Sequence, residues 1–309
     1  MSPPRDDLAV VVVTFNALPH IETCLASVRG YTTVVVDHGS TDGTVGVIRE
    51  RFKEVRLVEQ ENRGLAAGWN RGMAEVAPSV RYYFMLNADA WAHDGAIDAL
   101  AAFGDSRPTA AVIGPKLLNV DGTLQPSIKG FPTIWRLTTE YLALRRLLPW
   151  SRVFGAASGA GVDYGQPQDV EWVTGAAMLV RAEAIKQVGM ADENFFLFGE
   201  EVDWCYRMTN AGWSIAYFPG ALVTHVGWAS HGGRMICELA VSNLRYMWKH
   251  RGARAAAHAR RIMIVGLAAR GYLLRDWRGS ANREAVSSLR AFSIREFDGR
   301  PREVVPQLR

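Results

Sequence analysis

The chain has 309 residues, 49% of them hydrophobic and 21% charged. That balance is globular and excludes a mainly disordered chain, and the length suits one large domain or two ordinary ones. Its formal net charge of +4 and pI of about 9.0 leave nucleic acid, a membrane surface or an anionic ligand open as partners.

The first third alternates strand and helix signals. Leu8–Thr14 is predicted as a strand, Pro19–Ser27 as a helix, Thr33–Asp37 as a strand and Thr44–Phe52 as a helix. Val55–Glu59, the helix Gly64–Glu75 and the strand Tyr82–Asn87 follow. Such alternation with short loops predicts a parallel sheet covered by helices, and the continuous apolar runs predict strands buried on both faces. Ligands in such sheets sit at the carboxyl ends of strands, which places Thr14-Phe15-Asn16, Asp37-His38-Gly39-Ser40 and Asn87-Ala88-Asp89 on one rim.

The middle is less regular. Ile113–Leu118 reads as a strand, a further strand is centred on Met178, and Arg181–Val188 reads as a helix. Arg145–Gly165 reads as a mobile loop. Phe195–Phe198 leads into a helix that carries Glu200, Glu201, Asp203 and Arg207. Ile215–Phe218 and Ala221–Thr224 read as two short strands, and from about Met235 the pattern is helical to the end.

Cys24, Cys205 and Cys237 are few and far apart, which fits no disulfide framework or zinc knuckle and points to a reducing cytosol. The apolar run Leu8–Val13 is too short for a secretory leader. No window approaches the ~18 uninterrupted apolar residues of a membrane span. The nearest, Ile262–Leu274, is broken by Arg270.

Several segments carry chemistry. Asp89 follows a buried strand, where a carboxylate can hold a hard cation such as Mg²⁺ or Mn²⁺, or cap a helix. Asp37 can accept from a nucleobase N–H or a ribose hydroxyl, while Ser40 or Asp42 caps the next helix. Asn62, Gly64, Gly68 and Asn70 put small residues and N–H groups at a helix start, which suits a phosphate, although Gly68 and Gly72 also suit close helix packing. Glu200, Glu201 and Asp203 crowd three carboxylates into four residues. Repulsion there raises proton affinity and makes a general base, and the same acids suit a helix N-terminus. His225 lies in a Gly-rich neighbourhood with room for a ligand; His231 is the weaker choice.

In this order the segments resemble the family 2 glycosyltransferases, inverting enzymes of GT-A fold. The resemblance runs from about Ala9 to Gly233 and rests on Val-Val-Thr-Phe-Asn, Val-Asp-His-Gly-Ser-Thr-Asp-Gly-Thr and Glu-Asn-Arg-Gly-Leu-Ala-Ala-Gly-Trp-Asn. It continues through Leu-Asn-Ala-Asp, Trp-Val-Thr-Gly-Ala-Ala-Met-Leu-Val and Phe-Gly-Glu-Glu-Val-Asp-Trp-Cys-Tyr-Arg. The rhamnosyltransferase-like branch is the nearest in appearance. The resemblance implies an α/β fold, a Rossmann-like mixed sheet with flanking helices and a C-terminal helical extension. It divides the chain into a transferase domain, 1–233 (donor half to about 112, acceptor half from 113), and a basic extension, 234–309.

It also implies roles. Thr14, Asn16 and Asp37 would line the nucleoside pocket, and Asn62, Gly64, Gly68, Asn70 and Asn87 the donor cleft. Asp89 would bind Mg²⁺ or Mn²⁺ at the diphosphate, with His225 nearby. Trp172, Thr174, Gly175 and Asp203 would border the acceptor or sugar. Glu201 would be the catalytic base, oriented or tuned by Glu200. Three positions depart from the family pattern: Asn87 replaces an acid, Glu201 is a methylene longer than the usual Asp, and His38 replaces Asn.

The expected partners are a dTDP- or UDP-linked sugar and a glycan or lipid-linked acceptor, with no nucleic acid. A nucleotidyltransferase would need a basic phosphate-gripping N-terminal loop, which Val13-Thr14-Phe15-Asn16 lacks. A non-catalytic nucleotide-sugar module would not need both Asp89 and Glu201. Residues 249–309 hold 14 basic and 5 acidic residues, against 21 and 26 in the remainder. The basic excess therefore belongs to the tail, which suits peripheral contact with the cytoplasmic face of a membrane, and equally a helical cap or homodimer contact with a solvated basic face.

Overall fold

The computed structural model describes residues 5–144, 162–227 and 234–292. His231 and most of the expected loop Arg145–Gly165 lie outside them. β1 (Leu8–Thr14) is an interior strand, with Leu8 to Val12 fully buried. Side chains alternate across its two faces, so Leu8, Val10 and Val12 enter one apolar core and Val11 enters the other.

β2 (Thr32–Asp37), β3 (Arg56–Glu59) and β4 (Tyr82–Asn87) run parallel to β1. The expected parallel sheet therefore holds for this half. β5 (Ala90–Ala92), β6 (Ala110–Leu118), β11 (Ala177–Arg181) and β12 (Ser214–His225) complete the order β3-β2-β1-β4-β11-β6-β12-β5. β11 lies antiparallel between β4 and β6, so the whole sheet is mixed. β7 (Leu124–Gln125) and β9 (Gln168–Val170) pair at its margin, and β8 (Ile128–Lys129) forms a separate small ladder with β10 (Trp172–Val173).

α1 (Ile21–Ser27), α2 (Thr44–Arg51) and α4 (Ala96–Ser106) cover one face of the sheet through Ile21, Leu25, Ile48, Ile97 and Leu100. α3 (Leu65–Ala74), α5 (Ile134–Tyr141), α6 (Ala182–Val188) and α7 (Glu200–Asn210) share the core on the other face. The two expected strands near residue 218 are one strand, β12, with a register shift between Phe218 and Leu222. Pro219 there has no N–H to give the ladder.

The C-terminal residues form α8 (Arg234–Leu273), interrupted at Gly252 (φ 82°, ψ 172°), and α9 (Trp277–Ala291). Leu244, Met247, Met263, Leu267 and Leu289 are buried in the same core as Trp69 and Trp204. At roughly 2 kcal/mol for each buried side chain, that burial matches the whole stability of an ordinary domain. The helical extension is thus continuous with the core beneath the site. The three cysteines are free and buried.

Candidate active site

The parallel register brings the carboxyl ends of four strands level. Val13 pairs with Asn87 and Thr14 with Asp37, and Asp37 pairs in turn with Glu59. The Asn87 N–H donates to Ala176 O at 2.9 Å, which ties the end of β4 to the approach of β11.

The loops on this rim hold each other. Asn16, in the left-handed region (φ 52°), donates its N–H to Ser40 Oγ at 2.8 Å and accepts from the Thr41 N–H at 2.8 Å. Thr14 Oγ1 is buried with no hydrogen-bond partner among the described residues. Asp37 is fully buried, and its carboxylate accepts from the Gly39 and Ser40 N–H groups and the Ser40 hydroxyl. These bonds make it the organiser of the loop that follows β2.

His38 is also buried. Burial lowers its pKa despite the Asn62 bond and the Asp37 charge, so the ring is neutral. Its Nδ1 pairs with Asn62 Oδ1 at 3.2 Å and its Nε2 with Gln60 Nε2 at 2.9 Å. Only an Nδ1–H tautomer satisfies both, because Asn62 offers an oxygen and Gln60 an N–H. Asn62 Oδ1 also accepts from the Gly64 N–H at 3.1 Å. The base-side and phosphate-side loops are therefore one network.

Gly64 has φ 93°, and a Cβ there would collide with Phe196 O, which accepts from the Leu65 N–H at 2.8 Å. Gly68 and Asn70 are not placed as open donor contacts. A Cβ on Gly68 would lie 2.6 Å from both Val13 methyls, so the glycine lets α3 sit on β1. Asn70 spends its amide on Ala191 N–H and O and on Glu193, holding the segment before Phe195.

Asp89 and His225 meet because β5 pairs with β12, matching Ala90 to His225. His225 Nε2 lies 3.4 Å from Asp89 Oδ1, and its Nδ1 lies 2.8 Å from Gln125 Oε1. Burial pushes the Asp89 carboxyl up, but the hydrogen bond and charge of His225 outweigh it and hold the group ionised. No group of three His, Cys, Asp or Glu occurs at metal-binding spacing among the described residues. One carboxylate and one imidazole fit a cation that takes its remaining ligands from a diphosphate and water, rather than a closed structural site.

The carboxylate cluster opens α7. Phe198 (φ 63°) and Gly199 (φ 94°) are consecutive left-handed residues that turn the chain into the helix. Left-handed backbone is costly for a residue as bulky as Phe, and such strain gathers at functional sites. Glu201 is 6% exposed, and Oε2 accepts from the Gly199 N–H at 3.2 Å. Its pKa is raised by burial, while backbone N–H groups, Gly175's included, and Lys129 favour the anion. Glu200 is pushed higher by burial and by Glu201, and its Oε2 is buried with no hydrogen-bond partner among the described residues. Of the pair, Glu200 keeps the proton and Glu201 ionises.

Asp203 does not face an acceptor. It is fully buried, bonded to Arg207 at 2.8 Å, Lys249 at 2.6 Å and His250 at 2.7 Å. Burial opposes its charge, yet His250, Lys249 and Arg207 hold its pKa at about 2.

Thr174 is fixed by its N–H and hydroxyl to Ser127 O. A Cβ on Gly175 would lie 3.0 Å from the Trp69 ring and 3.6 Å from Glu201 Cβ. Trp172 pairs in register with Lys129, whose Nζ stands 5.4 Å from the Trp172 ring centre. Lys129 and Gln60 had no signal in the sequence; each acquires meaning only from a partner distant in the chain.

The chain as a whole is similar to known proteins. The Glycosyl transferase family 2 model matches residues 9–163. N-acetylglucosaminyl-diphospho-decaprenol L-rhamnosyltransferase of Mycobacterium tuberculosis is 31% identical over 239 residues, 71% of this chain and 76% of the relative. Among solved structures, mannosyltransferase PcManGT from Pyrobaculum calidifontis, in complex with GDP-Man and Mn²⁺, superposes with a TM-score of 0.56 at 15% identity, over 93% of this chain and 85% of that one. GalNAc-T7 with UDP, GalNAc and Mn²⁺ superposes with a TM-score of 0.54 at 16% identity, over 78% of this chain and 47% of that one. The fold is GT-A. This chain belongs to glycosyl transferase family 2 and is a glycosyltransferase.

Proposed function

We propose that the enzyme is a metal-dependent inverting transferase. It moves a sugar, with L-rhamnose the first to test, from a dTDP- or UDP-linked donor to a hydroxyl of a lipid-linked or glycan acceptor. Its setting would be cell-surface polysaccharide synthesis at the cytoplasmic face of a membrane. One observation carries the reading: the cation-compatible pair and the buried base belong to one continuous structure. Asp89 stands two residues past Asn87, whose N–H binds Ala176 O, and the adjoining Gly175 lies against Glu201. The mycobacterial relative supports rhamnose as donor sugar and a diphospho-polyprenol acceptor, since its name specifies both.

In this reading Thr14, Asn16, Asn62, Gly64 and Asn87 line the donor, with Asp37, Gly68 and Asn70 fixing the surfaces behind it. Trp172, Thr174 and Gly175 border the sugar and acceptor. Glu201 takes the proton of the acceptor hydroxyl as that oxygen bonds to the anomeric carbon. The bond from that carbon to the diphosphate breaks, and the electron pair leaves with the phosphate. Attack from the opposite face inverts the centre. Protonated Glu200 keeps a second negative charge away from the base. Asp89 and His225 would hold Mg²⁺ or Mn²⁺, which supplies charge neutralisation of the leaving diphosphate.

Thermal-shift measurements with dTDP-rhamnose, UDP-sugars and GDP-sugars, each with and without Mn²⁺, test the donor. Stabilisation by dTDP-rhamnose that needs Mn²⁺ is expected. Stabilisation by UDP-sugars alone would remove rhamnose, and no nucleotide-sugar response would remove the reading.

A further inference from the structure

The corner where α8 meets α9 has a surface that transfer chemistry does not require. Tyr272 is 88% exposed, Leu273 73% and Trp277 58%. Val265, at 60%, lies on the same exposed stripe of α8 as Arg261 and Tyr272, spaced four and seven residues apart. Residues 254–291 contain eight arginines against two acids, Asp276 and Glu284. One of those acids is already paired, Asp276 with Arg278 at 2.7 Å.

A groove of about 460 Å³ runs between the two helices beside this corner. Ala268, Gly271 and Val286 give it an apolar floor, and Arg283 and Arg290 line it with charge. An apolar floor under two guanidinium groups suits an amphiphile with an anionic headgroup.

We propose that this corner docks the enzyme on an anionic lipid surface. Tyr272, Leu273 and Trp277 enter the headgroup boundary, where aromatic side chains are favoured. Arg261, Arg275 and Arg278 face lipid phosphates, and Arg283 and Arg290 take a headgroup in the groove. No helix among the described residues is long and apolar enough to cross a membrane, so the corner lies on the surface. Charge selects lipid over a second copy of the chain, because an isologous contact would set the same arginine-rich patch against itself. The inference deepens the membrane setting proposed above and rests on it, but its test is independent of donor and acceptor, since vesicle binding is read without turnover.

Co-sedimentation of the full chain with phosphatidylcholine vesicles, with and without phosphatidylglycerol, tests it. Binding is expected only with the anionic lipid and is expected to fall with salt. Combined Tyr272→Ser, Leu273→Ser and Trp277→Ser should lower partitioning at least tenfold while the thermal melt stays unchanged. Arg275→Gln and Arg278→Gln should each lower it roughly fivefold, the effect of about one basic residue at a charged bilayer. Equal binding to neutral vesicles, unchanged binding by the triple variant, or an apolar corner that serves only self-association in light scattering would each overturn the proposal.

Discussion

His250 on α8 holds Asp203 on α7, with Nε2 2.7 Å from Oδ1, and Lys249 reaches the same oxygen at 2.6 Å. Lys249 also bonds Asp192, at 2.6 Å, in the segment that leads into Phe195. The helix that presents Glu201 is therefore fixed from behind by the C-terminal helix, and residues 47 apart act as one unit. The C-terminal helix thus helps to set the position of Glu201, the proposed base.

Asp203→Asn is expected to destabilise the fold by roughly 2 kcal/mol, from a carboxyl pKa held at about 2 rather than near its ordinary 3.8. A depressed carboxyl stabilises above its unfolded pKa and loses that contribution as pH falls through the folded one. The wild type should therefore lose this stability between about pH 4 and about pH 2, and the variant should not. Urea unfolding across that range measures it; parallel pH curves for the two proteins would contradict it.

Glu200 has the opposite sign. Its raised pKa means that the folded state holds a proton the unfolded state releases, so stability falls as pH climbs above the ordinary glutamate value. Glu200→Gln keeps the shape and removes that loss. A higher melting temperature at neutral pH, with no gain near pH 4, is expected, with most transfer activity retained. A variant with the wild-type pH profile of stability would place the proton elsewhere.

Because burial raises Glu201, the acidic limb of kcat/KM should lie above the ordinary glutamate value of 4.5. Activity rises with pH as this group ionises. A pH–rate profile measures the limb, and a limb at or below 4.5 would mean that the ionising base is another group.

Asp89→Ala should abolish Mn²⁺-dependent donor binding, and His225→Gln should weaken it. The Asp89 loss should exceed the 10–100-fold typical of removing an outer-shell partner of a metal. Calorimetric titration of the donor with and without Mn²⁺ reads both. Equal donor affinity in Asp89→Ala would remove the metal role.

Gly64→Ala should cost about 2 kcal/mol or more, because its backbone is left-handed and the new methyl meets Phe196 O. Donor affinity should fall with stability, as the phosphate-side loop is pushed off the Phe196 segment. Chemical denaturation and donor titration of one preparation check both.

Much of this was legible along the chain. β1 and β4 end where the sequence predicts, because strands buried on both faces read as apolar runs stopped by polar residues. Asn16, Asp37 and Asn87 fall on one rim for the same reason. The antiparallel direction of β11 was not legible, since Ala177–Arg181 carries the same apolar pattern in either direction. Pro219-Gly220 made β12 look like two strands. Asn70 and Asp203 read as site residues because they stand beside other candidates, Gly68 and Glu201. Their partners lie 121 and 47 residues away, and only the packing shows that each serves to hold the site.

The proposed role of Glu201 is to remove the acceptor proton. Single-turnover transfer from the bound donor by Glu201→Gln tests it most directly. Unchanged Mn²⁺-dependent donor affinity is expected, with transfer slowed about 10²–10⁴-fold, the usual contribution of a positioned base. Transfer at the wild-type rate, with the donor bound as tightly, would contradict it.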